Sequence, residues 1–129
     1  MSRRAVSVDV TRLGPYSPAI VAEGRFVFVS GQGAMRDGRY DPGAGVGDET
    51  RLTLENLFKI LAAAGCRPAD VIRCGVFLAD IGDFEEMNAA YGAAFPDPPP
   101  ARTTVQVAGL PGGIRVEIDC VAVLPDKSD

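Results

Sequence analysis

The chain contains 129 residues, of which 47% are hydrophobic and 23% are charged, so we expect a single globular domain over residues 1–129. The absence of histidine excludes Ser–His–Asp and Cys–His catalysis and most zinc sites. With 13 basic and 17 acidic residues, the net charge of −4 argues against a nucleic-acid partner.

The first third of the chain predicts strands separated by turns. Residues 4–10 alternate in polarity, which predicts an edge or half-buried strand with Val6, Val8 and Val10 on one face. Residues 14–18, Gly-Pro-Tyr-Ser-Pro, form a stiff turn. Residues 26–29, Phe-Val-Phe-Val, predict a strand buried on both faces, and residues 36–47, rich in Gly and Asp, predict a surface loop.

A first amphipathic helix is predicted over residues 49–64. Asp48 is the expected N-cap, and Gly65 lies where a left-handed residue ends a helix. The apolar stripe of this helix follows the i, i+3, i+4, i+7 spacing and consists of Leu54, Leu57, Phe58 and Leu61.

A second helix is predicted to open at a capping box formed by Asp83 and Glu86. Its apolar stripe consists of Phe84, Met87, Tyr91 and Phe95. The prolines that follow, Pro96 and Pro98 to Pro100, force an extended chain toward Arg102.

Three further strands are predicted, over residues 72–78, 103–107 and 115–124. We expect the last two to pair as a hairpin that turns near Leu110-Pro111. Directly opposed residues of a hairpin share one face. In this register four polar residues lie together on one surface: Arg102, Thr104, Glu117 and Asp119.

The order of elements predicts an α+β domain with two helices on one face of a mixed β-sheet. Two of the strands, 26–29 and 120–123, are apolar on both sides. Because two helices cover only one face of a sheet, we expect another subunit to cover the second face.

Arg102 beside Glu117 has two interpretations. The pair is either an exposed cross-strand ion pair of little energetic value, or part of a ligand cleft. In the cleft, the planar guanidinium of Arg102 would bind a ligand carboxylate, and Glu117 would hold or activate a water.

The three cysteines, Cys66, Cys74 and Cys120, lack C-x-x-C spacing, so we expect reduced, buried thiols rather than a disulfide framework or a metal site. No run approaches the roughly 20 apolar residues of a membrane span. The start, Met-Ser-Arg-Arg-Ala, is not followed by the apolar stretch of a signal peptide. We therefore expect a cytoplasmic protein without a membrane partner.

Six short motifs occur in an order and spacing typical of one family. They are Gly14-Pro15-Tyr16-Ser17, Val29-Ser30-Gly31-Gln32, Asp83-Phe84 continuing to Met87-Asn88-Ala89-Ala90-Tyr91, Ala101-Arg102-Thr103-Thr104-Val105, Gly109-Leu110-Pro111 and Val116-Glu117-Ile118. Through them the chain resembles the reactive-intermediate deaminase (RidA, also YjgF) family over residues 14–123.

The resemblance implies a chorismate-mutase-like α+β fold that assembles as a homotrimer, with the sheets forming an inner barrel and ligand clefts between subunits. It implies hydrolysis of 2-imino acids, such as 2-iminobutyrate and 2-iminopropanoate, to 2-oxo acids and ammonia, without a metal or another cofactor. Imine hydrolysis needs water delivered to an electrophilic carbon and a proton transferred to the leaving nitrogen.

Residue by residue, the resemblance makes Arg102 the carboxylate-binding residue and Glu117 the residue that positions water. Tyr16 resembles the family tyrosine near the ligand, with a plug at a subunit interface as the alternative. Gly31 offers backbone groups to the ligand or simply ends a strand. Asn88 shares a helix face with Phe84 and Tyr91, and it is either a site residue or a structural hydrogen-bonding residue.

The chain departs from the family pattern at two points. Many members have cysteine where this chain has Thr104, which we also expect to contact the substrate, and many read Gly-Gln-Ile-Pro where this chain has Gly31-Gln32-Gly33-Ala34. Both changes alter the expected pocket, so the alternatives are a pathway-specific deaminase acting on an aminoacrylate or aminomuconate, and a non-catalytic trimer that binds small carboxylates. A ribonuclease role, described for some members, is disfavoured by the negative charge.

Overall fold

The computed structural model of the protein describes residues 3–126 and contains eight strands and two α-helices. The first three strands are β1 (Arg3–Val6), β2 (Ala19–Ala22) and β3 (Phe26–Gln32). The other elements are β4 (Met35–Arg36), β5 (Arg39–Tyr40), α1 (Val46–Ala64), β6 (Val71–Leu78), α2 (Phe84–Ala94), β7 (Ala101–Gln106) and β8 (Val116–Val123). The predicted α+β class with two helices is confirmed.

A four-stranded mixed sheet in the order β3-β8-β6-β7 organises the molecule. Strand β8 pairs antiparallel with both β3 and β6, whereas β7 pairs parallel with β6. Both helices contribute to the hydrophobic core with one face of this sheet. The predicted apolar stripes supply much of that core through Leu54, Leu57, Leu61, Met87 and Tyr91.

The predicted hairpin between the last two strands is wrong, because β6 lies between β7 and β8. A parallel β6–β7 pair requires a crossover connection, and α2 provides it. The register places Arg102 opposite Cys74, which in turn lies opposite Cys120 in the buried core. Glu117 lies opposite Phe77, so Arg102 and Glu117 are on opposite faces of the sheet.

The second face of the sheet is not covered within one chain. Phe28, predicted to be buried, is 76% exposed, and Phe26 and Val105 are exposed as well. Register places Phe28 opposite Val121 and Val105 opposite Phe77 on this face. These side chains form an apolar surface, which we call the uncovered face.

The region before α1 differs from its prediction as a surface loop. Residues 36–47 contain the β4–β5 hairpin and the first residues of α1. The N-cap of α1 is Gly45 rather than Asp48, whose carboxylate instead accepts a hydrogen bond from the Ala44 N–H at 2.9 Å. At the other end of the helix, Gly65 has φ 92° as predicted.

The predicted capping box of α2 is also wrong. A 3₁₀ turn, Ile81–Asp83, precedes the helix, and Asp83 makes no side-chain cap hydrogen bond. Glu86 instead accepts a hydrogen bond from the Gly47 N–H at 2.7 Å, at the start of α1. Glu86 therefore serves as an acceptor for the start of α1 rather than for the start of its own helix.

The first predicted strand is shorter than its pattern indicated. It ends at Val6, and Val8 and Val10 are exposed. The strand pairs with β2, a strand that was not predicted. Neither helix within residues 3–126 combines the length and apolar character needed to cross a bilayer.

Candidate active site

Arg102 lies on β7, an edge strand of the four-stranded sheet, on the face that carries the helices. Its guanidinium carbon is 4.9 Å from the centroid of the Tyr91 ring, 5.1 Å from that of Tyr16 and 5.7 Å from that of Phe84. A cation above aromatic faces is stabilised by the ring quadrupoles. The rings accommodate the positive charge but offer its N–H groups little hydrogen bonding.

All three guanidinium nitrogens of Arg102 are buried, and none has a hydrogen-bond partner among residues 3–126. Burial lowers the pKa of Arg102 from its ordinary value. A buried charge without a partner costs roughly 3–5 kcal/mol. The arrangement therefore favours an anion with two coplanar acceptor oxygens, which a carboxylate provides.

Three other buried polar atoms near Arg102 in the fold lack a hydrogen-bond partner within the described residues. They are the Asn88 Oδ1, the Tyr91 hydroxyl and the Thr104 Oγ1. Asn88 and Tyr91 lie on α2, and Thr104 lies two residues after Arg102 on the same face of β7. These three residues and Arg102, together with the rings of Tyr16 and Phe84 that contact its guanidinium, form what we call the arginine pocket.

Tyr16 is held over the pocket by contacts of its own segment. Its hydroxyl accepts a hydrogen bond from the Leu13 N–H at 3.0 Å, and its carbonyl accepts one from Arg12 at 3.2 Å. The next residue, Ser17, is anchored by its N–H to the Pro100 carbonyl at 3.1 Å. Tyr16 thus contacts Arg102 within one chain.

Gly14 brings this segment against the pocket because it has no side chain. A Cβ at Gly14 would lie 2.8 Å from Nη2 of Arg102 and 3.0 Å from both Oδ1 and Nδ2 of Asn88. Any larger residue would push one of these groups aside. The same geometry shows that the Asn88 amide and the Arg102 guanidinium are close neighbours.

Glu117 and Gly31 lie together, away from the arginine pocket. A Cβ at Gly31 would collide with the carboxylate of Glu117, so any larger residue at this position would displace the Glu117 side chain. The β3–β8 register shifts between Val29 and Gln32, which places Gly31 in a β-bulge rather than at a simple strand end. Within residues 3–126, the prediction that Glu117 lies beside Arg102 is wrong.

Two aromatic residues of the arginine pocket, Phe84 and Tyr91, had been predicted only as core residues. Their spacing of three or four residues from Asn88 puts all three on one face of α2, and this was the available signal. What the sequence did not indicate is that Arg102 faces this helix. No cluster of three or more His, Cys, Asp or Glu side chains within the described part of the chain is arranged to hold a metal ion.

A comparison with protein families gives a match that covers most of the chain. The model described as Endoribonuclease L-PSP matches residues 7–124. This range contains every residue of the arginine pocket and both Gly31 and Glu117.

Curated relatives with similar sequences carry different names. The 2-iminobutanoate/2-iminopropanoate deaminase of Bos taurus is 44% identical over 113 residues, which cover 86% of this chain and 81% of that protein. Protein mmf2, mitochondrial, of Schizosaccharomyces pombe is 44% identical over 112 residues, covering 84% and 87%. Relatives of this chain are therefore not confined to the cytoplasm.

A solved structure shares the fold. RidA from the Antarctic bacterium Psychrobacter sp. superimposes with a TM-score of 0.73 at 35% sequence identity, over 88% of this chain and 92% of that one. The structural similarity therefore extends over most of both chains.

Proposed function

The chain belongs to the Endoribonuclease L-PSP family, also known as the RidA or YjgF family, and from this premise we propose that it hydrolyses 2-imino acids to 2-oxo acids and ammonia. The related deaminase of Bos taurus, which acts on 2-iminobutanoate and 2-iminopropanoate by its name, supports this reaction class. Both compounds are small acids that carry one carboxylate beside the reacting carbon.

The observation that carries the proposal is the buried guanidinium of Arg102, whose three nitrogens have no partner within residues 3–126. A substrate carboxylate would accept two parallel hydrogen bonds from it. This contact would place the adjacent C=N carbon inside the arginine pocket, between the side chains of α2 and Thr104. Tyr16 would close the pocket over the substrate.

Water activation needs a carboxylate that one chain does not bring to the pocket. Glu117 lies on the uncovered face, opposite to Arg102. We therefore include in the proposal a homotrimer in which a second copy covers this face and presents its Glu117 and Gly31 to the arginine pocket. The exposed Phe26, Phe28 and Val105 supply the apolar contact area for such an assembly.

The reaction balances with water as the only other reactant. Glu117 would accept a proton from the water as its oxygen attacks C2 of the protonated imine, and the resulting tetrahedral carbon would carry both OH and NH₂ groups. Return of this proton to nitrogen would convert the NH₂ group into the leaving group NH₃⁺. As the C–N bond breaks and ammonia leaves, Glu117 would take up the hydroxyl proton, so that the oxygen forms the C=O bond of the 2-oxo acid, and this proton would then pass to ammonia.

Carboxylate binding without turnover is the second candidate, and one observation favours it. Among residues 3–126 of a single chain, no carboxylate lies within hydrogen-bond distance of the Arg102 guanidinium. If the copies do not assemble, 2-oxo acids will bind and raise the melting temperature, but no imine will be hydrolysed.

The test is imine hydrolysis by the wild type and Arg102→Ala. An amino-acid oxidase generates 2-iminobutanoate, semicarbazide traps it, and suppression of trapping reports the deaminase. We expect Arg102→Ala to lower kcat/KM by about 100-fold, because a charge-assisted bidentate contact is lost. Arg36→Ala, which removes an arginine from the exposed ion pair with Asp41, is the matched control.

If neither the wild type nor Arg36→Ala suppresses trapping of the imine, the deaminase proposal is contradicted. An aminoacrylate and an aminomuconate substrate, tested in parallel, would identify a pathway-specific deaminase. We expect single-stranded RNA to remain intact, because the net charge of −4 opposes binding to phosphates.

A further inference from the structure

Asn88 provides an uncharged hydrogen-bond acceptor beside the donor groups of Arg102. Its side chain is buried, with 9% of the residue exposed, and Oδ1 has no partner among the described residues. The other amide atom, Nδ2, donates to the Leu13 carbonyl at 3.4 Å. This contact orients the amide and leaves Oδ1 as the atom that needs a donor.

The Asn88 amide is close to the group that would hold the substrate. Both Oδ1 of Asn88 and Nη2 of Arg102 lie within 3.0 Å of the position that a Cβ on Gly14 would occupy. In a 2-imino acid the nitrogen is bonded to C2, directly beside the carboxylate. A carboxylate on Arg102 therefore puts the C2 nitrogen within reach of Asn88.

We propose that Oδ1 of Asn88 accepts a hydrogen bond from the C2 nitrogen of the substrate, and that it thereby distinguishes the imine from its 2-oxo product. This inference rests on the proposed function. An imine or iminium N–H donates to Oδ1, whereas the ketone oxygen of the product has no hydrogen and leaves Oδ1 unpaired. A buried acceptor without a donor weakens binding, so the same residue holds the substrate and favours product release.

The contact also has a consequence for reactivity. An acceptor beside the nitrogen stabilises the protonated iminium form, whose C2 is more electrophilic than that of the neutral imine. Asn88 thus helps to prepare C2 for attack by water while exchanging no proton itself.

Oxamate and pyruvate test the inference without turnover. They are planar, similar in size and equal in charge, but oxamate carries an NH₂ donor on C2 where pyruvate has a methyl group. By isothermal calorimetry we expect the wild type to bind oxamate about 10-fold more tightly than pyruvate, the value of one hydrogen bond plus the relief of an unpaired acceptor. In Asn88→Leu the ratio should fall to about one.

Ala89→Leu is the matched control, because it adds the same side chain at the next residue of α2, on the exposed side of the helix. It should retain the wild-type ratio. Asn88→Ala repeats the test with a smaller side chain, and circular dichroism establishes that each variant is folded.

Three outcomes would overturn the inference. If the wild type binds oxamate and pyruvate with equal affinity, Oδ1 of Asn88 does not distinguish between their substituents on C2. An equal loss of both ligands in Asn88→Leu and Asn88→Ala would assign Asn88 to the positioning of Arg102 alone. Failure of the wild type to bind either ligand would refute the carboxylate site itself, and the proposed function with it.

Discussion

Cys74, which lies beside the arginine pocket, illustrates how the pKa of a single side chain depends on its surroundings. It lies opposite Arg102 on one neighbouring strand and opposite Cys120 on the other, and its thiol is fully buried near the Tyr91 hydroxyl. Burial raises the pKa of Cys74 from 9.0 to about 12. Burial likewise raises the pKa values of Tyr91, Cys120 and Cys66.

The raised pKa of Cys74 predicts a loss of stability at alkaline pH. Below pH 9 the thiol is protonated in both the folded and the unfolded chain, so its contribution is fully present. As the pH rises from about 9 to about 12, the unfolded chain loses this proton while the folded chain retains it. The free energy of unfolding should then fall by up to about 1.4 kcal/mol per pH unit for this thiol.

Urea unfolding at pH values from 8 to about 11, in the range where the thiol of the unfolded chain titrates, measures this slope. Cys74→Val removes the titrating group and retains an apolar side chain, so the slope should become shallower. An unchanged slope in this variant would show that other groups, Tyr91 among them, account for all of the alkaline destabilisation.

At the scale of elements, a buried carboxylate joins α1 to two strands. Glu49, in the first turn of α1, is fully buried and accepts hydrogen bonds from Nε of Arg115 at 2.9 Å, from the Arg115 N–H at 2.6 Å and from the Tyr40 hydroxyl at 2.9 Å. Arg115 directly precedes β8, and Tyr40 ends β5. The position of Glu49 near the positive end of the α1 dipole further stabilises its carboxylate charge.

We predict that Arg115→Met lowers the free energy of unfolding by about 2–3 kcal/mol, because it leaves the Glu49 carboxylate buried with its charge uncompensated. The partial exposure of Arg115 places the effect at the lower end of the range for buried pairs. Urea unfolding at pH 7 gives the measurement.

Arg36→Met provides the comparison for this ion pair. It breaks the Arg36–Asp41 pair, whose two side chains are about half exposed, and should cost less than about 1 kcal/mol. If Arg115→Met and Arg36→Met lower the free energy of unfolding equally, burial of Glu49 does not make its ion pair more important for stability than an exposed one.

At the scale of the whole molecule, the sheet separates two groups that the proposed reaction needs together. Arg102 faces α2 and Glu117 lies on the uncovered face. Two groups on opposite faces of one sheet meet only when they come from different copies. The separation therefore predicts complementation between inactive variants.

Co-expression of Arg102→Ala with Glu117→Gln should restore imine hydrolysis. A mixed assembly contains interfaces in which the intact Arg102 of one copy meets the intact Glu117 of the other. With random mixing in a closed ring, roughly a quarter of the sites are complete, so we expect about that fraction of wild-type activity. Each variant expressed alone should stay far below that fraction, with Arg102→Ala at about one hundredth of the wild-type kcat/KM.

The double variant Arg102→Ala/Glu117→Gln, expressed alone, is the control, since none of its interfaces is complete. Sedimentation should give three times the mass of the chain for every variant. If the two single variants form mixed trimers but recover no activity, the shared site is wrong.

Local patterns in the sequence were sufficient to predict both helices, their apolar stripes and the glycine that ends α1. These features depend on residues three to seven positions apart, and the same periodicity determines which side is buried. Asp48 was mispredicted as the N-cap of α1, which is Gly45, whereas Asp83 is the N-cap of α2 but makes none of the predicted side-chain hydrogen bonds. For α1 the acceptor is Glu86 on the other helix, which no local pattern reveals.

The sequence by itself determined the family and the α+β class, because short motifs and helical spacing contain that information, and through the resemblance to the family it predicted that Arg102, Asn88 and Tyr16 belong to one site. Only the tertiary structure decided that β6 separates β7 from β8 and that Glu117 lies away from Arg102. Strand pairing depends on contacts between distant residues. The alternation of apolar and polar residues along each strand is equally compatible with a hairpin and with a crossover connection. The burial of the guanidinium against Phe84 and Tyr91 follows from that pairing, because β7 beside β6 turns Arg102 toward α2.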